Sequence, residues 1–265
     1  MSSLELADAR IYYEDRGTGE PLVLIPGFAS GAWSWLWQAG EFAKTFRVIS
    51  FDPPGVSKSK VTGGRSVTIE NIADDVLELL DKLNVEKAHL LGISFGGFVA
   101  QEFALRHPSR LKKLVLASTS FGGPDHIPPT PEVLASFEPA DSTDTADRTK
   151  RRLRQAFLPA FVQSHSGVVE RFCDLRESNI VPEEIYNQQL KSAMKFDAGE
   201  RVTNILAEAL ILSGGRDIVV PVENAYNLAA RLPNSRLEIL HDAGHMAFVE
   251  CAGEFNGLVR DFLIS

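Results

Sequence analysis

The sequence has few cysteines, no excess of basic residues and no long apolar run. Cys173 and Cys251 are its only cysteines in 265 residues, and two distant cysteines suggest neither a disulfide framework nor a paired metal site. Asp and Glu number 35 against 27 Lys and Arg, which argues against general nucleic-acid binding. No run approaches the ~20 apolar residues that span a bilayer, and the start, MSSLELADARIYYEDRG, does not resemble a signal peptide. We therefore expect a soluble, cytoplasmic protein with no membrane or nucleic-acid partner.

Six short apolar runs recur along the chain, separated by amphipathic stretches. The runs are PLVLIPG, FRVISFD, AHLLGIS, KLVLAST, EALILSGG and RLEILHD, and their lack of polar alternation is typical of strands buried on both faces of a parallel sheet. LELADARIYYED predicts two more strands around a polar turn. SVTIENIADDVLELLDKL has helical apolar spacing after Thr68, a favourable N-cap. This alternation predicts a three-layer α/β fold with a mostly parallel, eight-stranded sheet.

The alternation stops between about residues 121 and 204. This segment contains prolines, in GGPDHIPPTPEV, and a mixed-charge run, in DSTDTADRTKRRLR, but no strand-like run. We interpret it as a helical cap over one end of the sheet. The predicted organisation is one domain, with a core of residues 1–122 and 201–265 and a cap insertion of residues 123–200.

A single hydroxyl stands between glycines where a predicted strand meets a predicted helix. In HLLGISFGGFVAQ, Gly92, Ser94 and Gly96 form the pattern G-x-S-x-G. Such a turn strains the serine backbone and needs small neighbours, because the strand and the helix pass close together. It lifts the hydroxyl to a helix N-terminus, which favours negative charge. Ser94 is thus a candidate nucleophile; the alternative is a small-residue packing turn.

A serine hydroxyl is a poor nucleophile without a general base and an orienting acid. Asp217 follows the run EALILSGG, and His245 follows RLEILHD in the loop DAGHMAF. After a serine turn of this kind, the partners are expected in the order acid, then histidine. We predict Ser94 as nucleophile, His245 as general base and then acid, and Asp217 as the group that orients the imidazole. The Ser94 hydroxyl should then touch the His245 ring.

Two rival assignments concern the acid and the histidine. Asp125, after the run KLVLAST, is the main competitor for the acid. His241 and His245 have the spacing of two helical zinc ligands, but they follow a strand, and the HExxH glutamate is missing. We therefore predict no metal and no cofactor.

The oxyanion formed by attack on a carbonyl needs preorganised donors. The backbone N–H of Phe95, directly after Ser94, is one candidate donor. The second candidate is the N–H of Phe28, in the loop Pro26-Gly27-Phe28 after the run PLVLI. The alternative for this loop is an ordinary turn at the end of a strand.

Taken together, these motifs resemble those of the α/β-hydrolase superfamily, in particular its esterase and enol-lactonase-like branch with a helical cap. IPGF, FDPPGVSKS, GISFGG, SGGRDIVVP and DAGHMAFVE occur in the family order and span nearly the whole chain. The resemblance implies hydrolysis of carboxylic esters or lactones through an acyl-enzyme. Two positions depart from the family: Pro26 replaces the usual histidine, and Ser57 replaces a glycine. The serine nucleophile argues against haloalkane dehalogenases and epoxide hydrolases, which use an aspartate.

The substrate pocket is expected between the carboxyl edge of the sheet and the cap. Its predicted wall is aromatic and consists of Trp33, Phe121, Phe137, Phe157 and Phe161. The only concentrated positive charge is a cap run of Arg148, Lys150, Arg151, Arg152 and Arg154. This run is either a solvated helix face or a recognition site for an acidic substrate or carrier protein.

Other functions use the same residues. Carbon–carbon bond hydrolysis, aminopeptidase action and cofactor-free perhydrolysis would employ the same triad. A ligand-sensing protein that keeps the scaffold but has little turnover belongs to a different class. The complete set of triad residues favours an enzyme over such a sensor.

Overall fold

Nine strands of the described residues form a mixed sheet at the centre of the molecule. The computed structural model describes residues 2–137 and 152–265. The strands are β1 (Ser2–Glu5), β2 (Ala9–Arg16), β3 (Pro21–Ile25), β4 (Arg47–Phe51), β5 (Lys60–Val61), β6 (Ala88–Ile93), β7 (Leu111–Ala117), β8 (Ala209–Gly214) and β9 (Ser235–Leu240). Eight of them lie in the order β1-β2-β4-β3-β6-β7-β8-β9, with parallel pairing from β4 to β9. The predicted eight strands are confirmed, and the two-residue β5, which has no apolar run, adds a ninth beside β2.

Helices connect the strands, as the amphipathic stretches predict. They are α1 (Ala39–Phe42), α2 (Ile69–Lys82), α3 (Phe95–Arg106), α4 (Pro131–Phe137), α5 (Pro159–Ser164), α6 (Ser166–Ser178), α7 (Glu183–Lys195), α8 (Glu223–Arg231), α9 (Ala247–Glu250) and α10 (Ala252–Ile264). Residues 152–156 are also helical. The Thr68 cap is confirmed, because its hydroxyl accepts from the Asn71 N–H at 3.2 Å. Within the described ranges no helix is both long and apolar enough to cross a membrane.

Apolar side chains cover both faces of the sheet. One buried cluster joins the sheet to α2, α3 and α8, and includes Leu79 and Phe103. The other joins the opposite face to α1 and α10, and includes Phe42 and Phe255. Burial of apolar surface on both faces accounts for strands without polar alternation, and it gives the three predicted layers.

The chain between β7 and β8 holds α4 to α7 and residues 152–156. The two ends of this segment meet: Gly122 and Asp197 form an antiparallel bridge, and the Ala198 N–H donates to the Phe121 carbonyl at 2.8 Å. A closed base lets a long insertion leave and rejoin the sheet without disturbing it. The division into a core of 1–122 and 201–265 and a cap of 123–200 stays a prediction, and these adjoining ends support it.

Strands β3 and β6 are parallel neighbours at the middle of the sheet. The chain leaves β3 toward β4 on one side and leaves β6 toward β7 on the other. In open α/β sheets such a reversal of strand order leaves a crevice at the carboxyl edge, where ligands bind. The loops that follow β3 and β6 are the ones that border this crevice.

Candidate active site

Ser94 occupies a sharp turn between β6 and α3. Its φ of 53° is positive, a strained conformation for a residue with a side chain. The turn is held because the Ser94 N–H donates to the Ala117 carbonyl at 2.9 Å, while the Ser94 carbonyl accepts from the Thr119 hydroxyl at 2.9 Å. A Cβ added to Gly92 would overlap the Gly96 carbonyl. The glycines of the motif are therefore required by space.

A buried carboxylate–imidazole pair lies beyond β8 and β9. Asp217 Oδ2 is 2.8 Å from His245 Nδ1, and the Asp217 side chain is 0% exposed. The other oxygen, Oδ1, accepts from the N–H groups of Val219 and Val220, each at 2.8 Å. Because an ionised carboxylate only accepts, Nδ1 must carry the proton. The remaining ring nitrogen, Nε2, is then free to act as a base.

Ser94 and His245 line one small cavity of about 130 Å³. Within residues 2–137 and 152–265 no hydrogen bond joins the Ser94 hydroxyl to the imidazole. The hydrogen bond expected between the two groups is therefore not formed, although both residues line the same cavity. Catalytic hydrogen bonds are often long in enzymes without substrate and shorten when it binds.

The segments that carry the two candidate oxyanion donors are in contact. Phe95 begins α3, and the first N–H groups of a helix have no intrahelical acceptor. A Cβ added to Gly96 would overlap the Ile25 carbonyl and approach the Pro26 carbonyl, so the loop after β3 passes directly over this helix start. The rings of Phe28 and Phe95 lie 6.2 Å apart in an edge-to-face arrangement. The oxyanion role of the two N–H groups stays a prediction.

Glu250 ties the histidine loop to the chain before α5. Its carboxylate accepts from the Gly244 N–H at 3.2 Å and from the Leu158 N–H at 3.3 Å. Burial raises the pKa of Glu250, and these two donors partly oppose the shift. Since Gly244 precedes His245, this carboxylate restrains the loop that carries the imidazole.

The cavity wall is largely aromatic and apolar. It includes Phe28, Ile93, Phe172, Tyr186, Met246 and Phe248. These side chains come from the loop after β3, from the end of β6, from α6 and α7, and from the region of α9. An apolar lining lowers the local dielectric, which strengthens electrostatic interactions within the cavity.

The aromatic residues predicted for this wall lie elsewhere. Trp33 packs against the outer side of the wall, with its ring 5.2 Å from that of Phe172. Phe157 packs 6.0 Å from Phe172 and 5.8 Å from Phe161, and it borders a separate open groove of about 740 Å³. Trp33 and Phe157 contact Phe172, Phe161 contacts Phe157, and none of the three lines the cavity that contains Ser94.

Phe121 and Phe137 are the other two residues predicted for the wall. Phe121 is 1% exposed, and the Arg231 guanidinium covers its ring at 4.2 Å; it is absent from the cavity lining. The Phe137 side chain lies outside the described residues. Which residues form the wall depends on how helices α4 to α7 lie on the sheet, and apolar composition does not specify this.

The family model for the alpha/beta hydrolase fold matches residues 20–252. The chain belongs to the α/β-hydrolase family. The hydrolase is 33% identical over 97% of its length, and 91% of the relative's, to a 2-hydroxy-6-oxononadienedioate/2-hydroxy-6-oxononatrienedioate hydrolase from Burkholderia vietnamiensis.

Two solved structures extend the comparison. A thermophilic esterase from Thermogutta terrifontis superposes on the hydrolase with a TM-score of 0.83 at 26% identity, covering 99% of this chain and 98% of that one. Est816, an N-acyl homoserine lactone degrading enzyme, gives a TM-score of 0.82 at 28% identity, covering 98% and 100%. These two proteins therefore share their fold with this chain, and the relatives are named for different substrates.

The cavity of the hydrolase contains positive charge that the sequence did not reveal. Arg176 of α6 lines it, and burial lowers the pKa of this guanidinium to about 10. Its Nη1 donates to the Asn179 carbonyl at 3.1 Å, and within the described ranges it forms no salt bridge. Val169, Phe172 and Arg176 follow helical spacing, so an arginine on an apolar stripe was the signal that could have identified it.

Part of the predicted cap basic run also reaches the cavity. Arg152 lines it, donates to the Ser136 carbonyl at 2.9 Å, and contacts the Tyr186 hydroxyl. Arg154 instead pairs with Glu170 at the surface. The other members of the run, Arg148, Lys150 and Arg151, lie outside the described residues.

The two rivals for the triad lie away from the cavity. Asp125 is 61% exposed and pairs with Arg231 at 2.5 Å. His241 is exposed at the end of β9, whereas His245 is buried. Within the described ranges no three His, Cys, Asp or Glu side chains are grouped as metal ligands.

Proposed function

We propose that this α/β-hydrolase cleaves carboxylic esters or lactones through an acyl-enzyme formed on Ser94. The observation that carries the proposal is the buried Asp217–His245 pair, because His245 lines one cavity together with the strained Ser94. A histidine fixed in this tautomer can accept a proton at Nε2 and return it. The chemistry requires no cofactor, and the esterase relative supports this choice of substrate.

The proposed reaction has two halves. The Ser94 hydroxyl attacks the substrate carbonyl while His245 Nε2 takes its proton, and the oxyanion accepts from the N–H groups of Phe28 and Phe95. Collapse breaks the bond to the leaving group, which receives that proton. A water molecule then gives a proton to His245 and attacks the acyl-enzyme. Collapse of the second intermediate releases the acid and returns the proton to Ser94.

Hydrolysis of a carbon–carbon bond is the second candidate. It is favoured by the Burkholderia vietnamiensis relative, which is named for a substrate with two carboxylates. The same serine, histidine and oxyanion donors would serve, but the leaving group would be a carbon that is protonated as it departs. The two candidates therefore differ in the bond cleaved and share the residues that cleave it.

We also propose that the substrate carries an anionic group. A largely buried guanidinium is costly without an opposite charge, and Arg176 has none within the described residues. Arg152 adds a second guanidinium to the same wall. A substrate carboxylate would complete this arrangement through charge-assisted hydrogen bonds. This proposal narrows the predicted acidic partner to a small molecule bound inside the cavity; a carrier protein at the basic run stays a prediction.

The first test measures turnover of paired p-nitrophenyl esters. p-Nitrophenyl butyrate and p-nitrophenyl hemisuccinate represent the neutral and anionic esters. They are joined by γ-lactones and by a 2-hydroxy-6-oxo-dienoate as the carbon–carbon substrate. The substrate class with the highest kcat/KM identifies the bond cleaved. Ser94→Ala should lower this kcat/KM by several orders of magnitude. If Ser94→Ala kept the activity of the wild type on all three substrate classes, the proposal would be contradicted.

The second test isolates the anionic group. Arg176→Met should raise KM for the hemisuccinate about 10- to 100-fold, since a hydrogen bond to a charged group contributes about 1.5–3 kcal/mol, and it should leave the butyrate nearly unchanged. Arg171→Met is the matched control, because Arg171 is exposed on the same helix. Equal effects on both esters, or equal effects of both variants, would refute an anion site at Arg176.

A further inference from the structure

Helix α7 is attached to the core through side chains that accept from backbone N–H groups. Gln188 Oε1 accepts from Val67 at 2.6 Å, and the Ser192 hydroxyl accepts from Ile69 at 2.9 Å. Between these contacts, Gln189 Oε1 accepts from the Ala29 N–H at 2.9 Å. Two of the three contacts therefore reach the chain just before and at the start of α2, and the third reaches the loop after β3.

The Gln189 contact falls on the strained residue of that loop. The Ser30 N–H donates to the Gly27 carbonyl at 3.2 Å, which closes a four-residue turn, and Ala29 holds its third position with a φ of 51°. A type II turn has this conformation and favours glycine there, so an alanine needs external restraint. Ala29 and Gln189 are each 1% exposed, and a buried N–H of this kind has to be paired.

The same helix also holds the neighbouring side chain. The ring of Tyr186, one turn before Gln189, packs edge-to-face on the ring of Phe28 at 4.7 Å. Phe28 therefore has α7 on one side and Phe95 on the other. The residue whose N–H is the candidate oxyanion donor is thus fixed by its own ring and by the hydrogen bond of the next residue.

We propose that Gln189 is a positioning residue that holds the oxyanion loop in its active conformation. The proposal rests on the function proposed above. By accepting from Ala29, Gln189 restrains the peptide that directly follows Phe28, and with it the backbone torsions of Phe28 that direct the Phe28 N–H at the carbonyl under attack. Without this acceptor the positive φ of Ala29 is no longer held, and relaxation of the turn changes the torsions of Phe28 and therefore the direction of its N–H. The insertion then contributes to the rate of the chemical step as well as to substrate binding.

The test compares Gln189→Met with Gln188→Met on a short neutral p-nitrophenyl ester. Both variants lose one acceptor at the contact between helix and core, but only the first affects the oxyanion loop. Removing an oxyanion donor costs about 10²- to 10³-fold in kcat, so displacing one by Gln189→Met should lower kcat about 10- to 100-fold with KM within twofold. Gln188→Met should keep kcat within threefold.

A second readout does not need turnover. Fluorophosphonate modifies Ser94 through a transition state with an oxyanion, so its rate should fall in parallel with kcat for Gln189→Met and remain near wild type for Gln188→Met. If Gln189→Met does not fold, Gln189→Asn, which withdraws the oxygen by one methylene, is measured in the same way. Equal kcat values for the two methionine variants, or a wild-type kcat in Gln189→Met, would overturn the inference. Absence of wild-type turnover and of Ser94 labelling would instead overturn the proposed function.

Discussion

Replacement of Asp217 by asparagine tests the proposed relay with the smallest change of shape. The asparagine oxygen can still accept from Val219 and Val220, which donate to Asp217 Oδ1 at 2.8 Å. The amide nitrogen then takes the place of the oxygen 2.8 Å from His245 Nδ1. Because both groups would be donors, the imidazole must move its proton to Nε2. That nitrogen can then no longer accept the Ser94 proton.

The expected loss is about 10⁴-fold in kcat, as for removal of the orienting charge in other serine triads, or about 5 kcal/mol of barrier. Steady-state hydrolysis of the preferred ester measures it, and thermal unfolding should shift little because the backbone acceptors remain. Asp125→Asn is the control, since Asp125 is exposed and pairs with Arg231. More than a tenth of the wild-type kcat in Asp217→Asn, or an equal loss in Asp125→Asn, would refute the reasoning.

Three further predictions concern stability and are measured by urea denaturation. Gly92→Ala should destabilise the fold by about 3 kcal/mol because its Cβ would overlap the Gly96 carbonyl. Gly257→Ala is the control: Gly257 has open space around it in α10, so this change should be neutral or stabilising by up to about 1 kcal/mol. Equal effects of the two changes would contradict the steric argument. Thr68→Ala should cost about 1 kcal/mol through loss of the α2 cap, and no change would argue against that cap. Folding raises the pKa of Glu250. The protonated carboxyl therefore stabilises the fold below the ordinary glutamate pKa of about 4.3. This contribution to the free energy of unfolding is lost as the pH rises through the raised pKa. In Glu250→Gln this loss of stability with rising pH should be absent. Identical pH profiles of stability for the variant and the wild type would contradict the prediction.

The sheet and the serine turn could be predicted because both are encoded locally. Apolar runs without alternation identified the strands buried on both faces, and the Thr68 cap fixed the start of α2. Gly92 and Gly96 identified the turn because their role is steric and depends on residues a few positions away. Strand β5 was missed, since two residues carry no periodicity.

The cavity wall could not be predicted because it depends on contacts between distant segments. Trp33 and Phe157 have the composition of wall residues, but they pack behind Phe172. Gln189 lies 160 positions from its partner Ala29, and a glutamine in an amphipathic helix carries no sign of such a contact. Aromatic content therefore indicated that a wall exists without indicating which residues form it.

The insertion between β7 and β8 bears on how far the parts of this hydrolase can be exchanged. Ser94 precedes the insertion, and Asp217 and His245 follow it, so replacement of the insertion would leave these three side chains in place. It would, however, remove the acceptor for Ala29, because Gln189 lies on α7. A chimera with a foreign insertion is therefore expected to bind a new substrate but turn it over slowly. A chimera that keeps α7 of this hydrolase, and takes only the segment before α7 from the other protein, should change substrate specificity without the loss of rate.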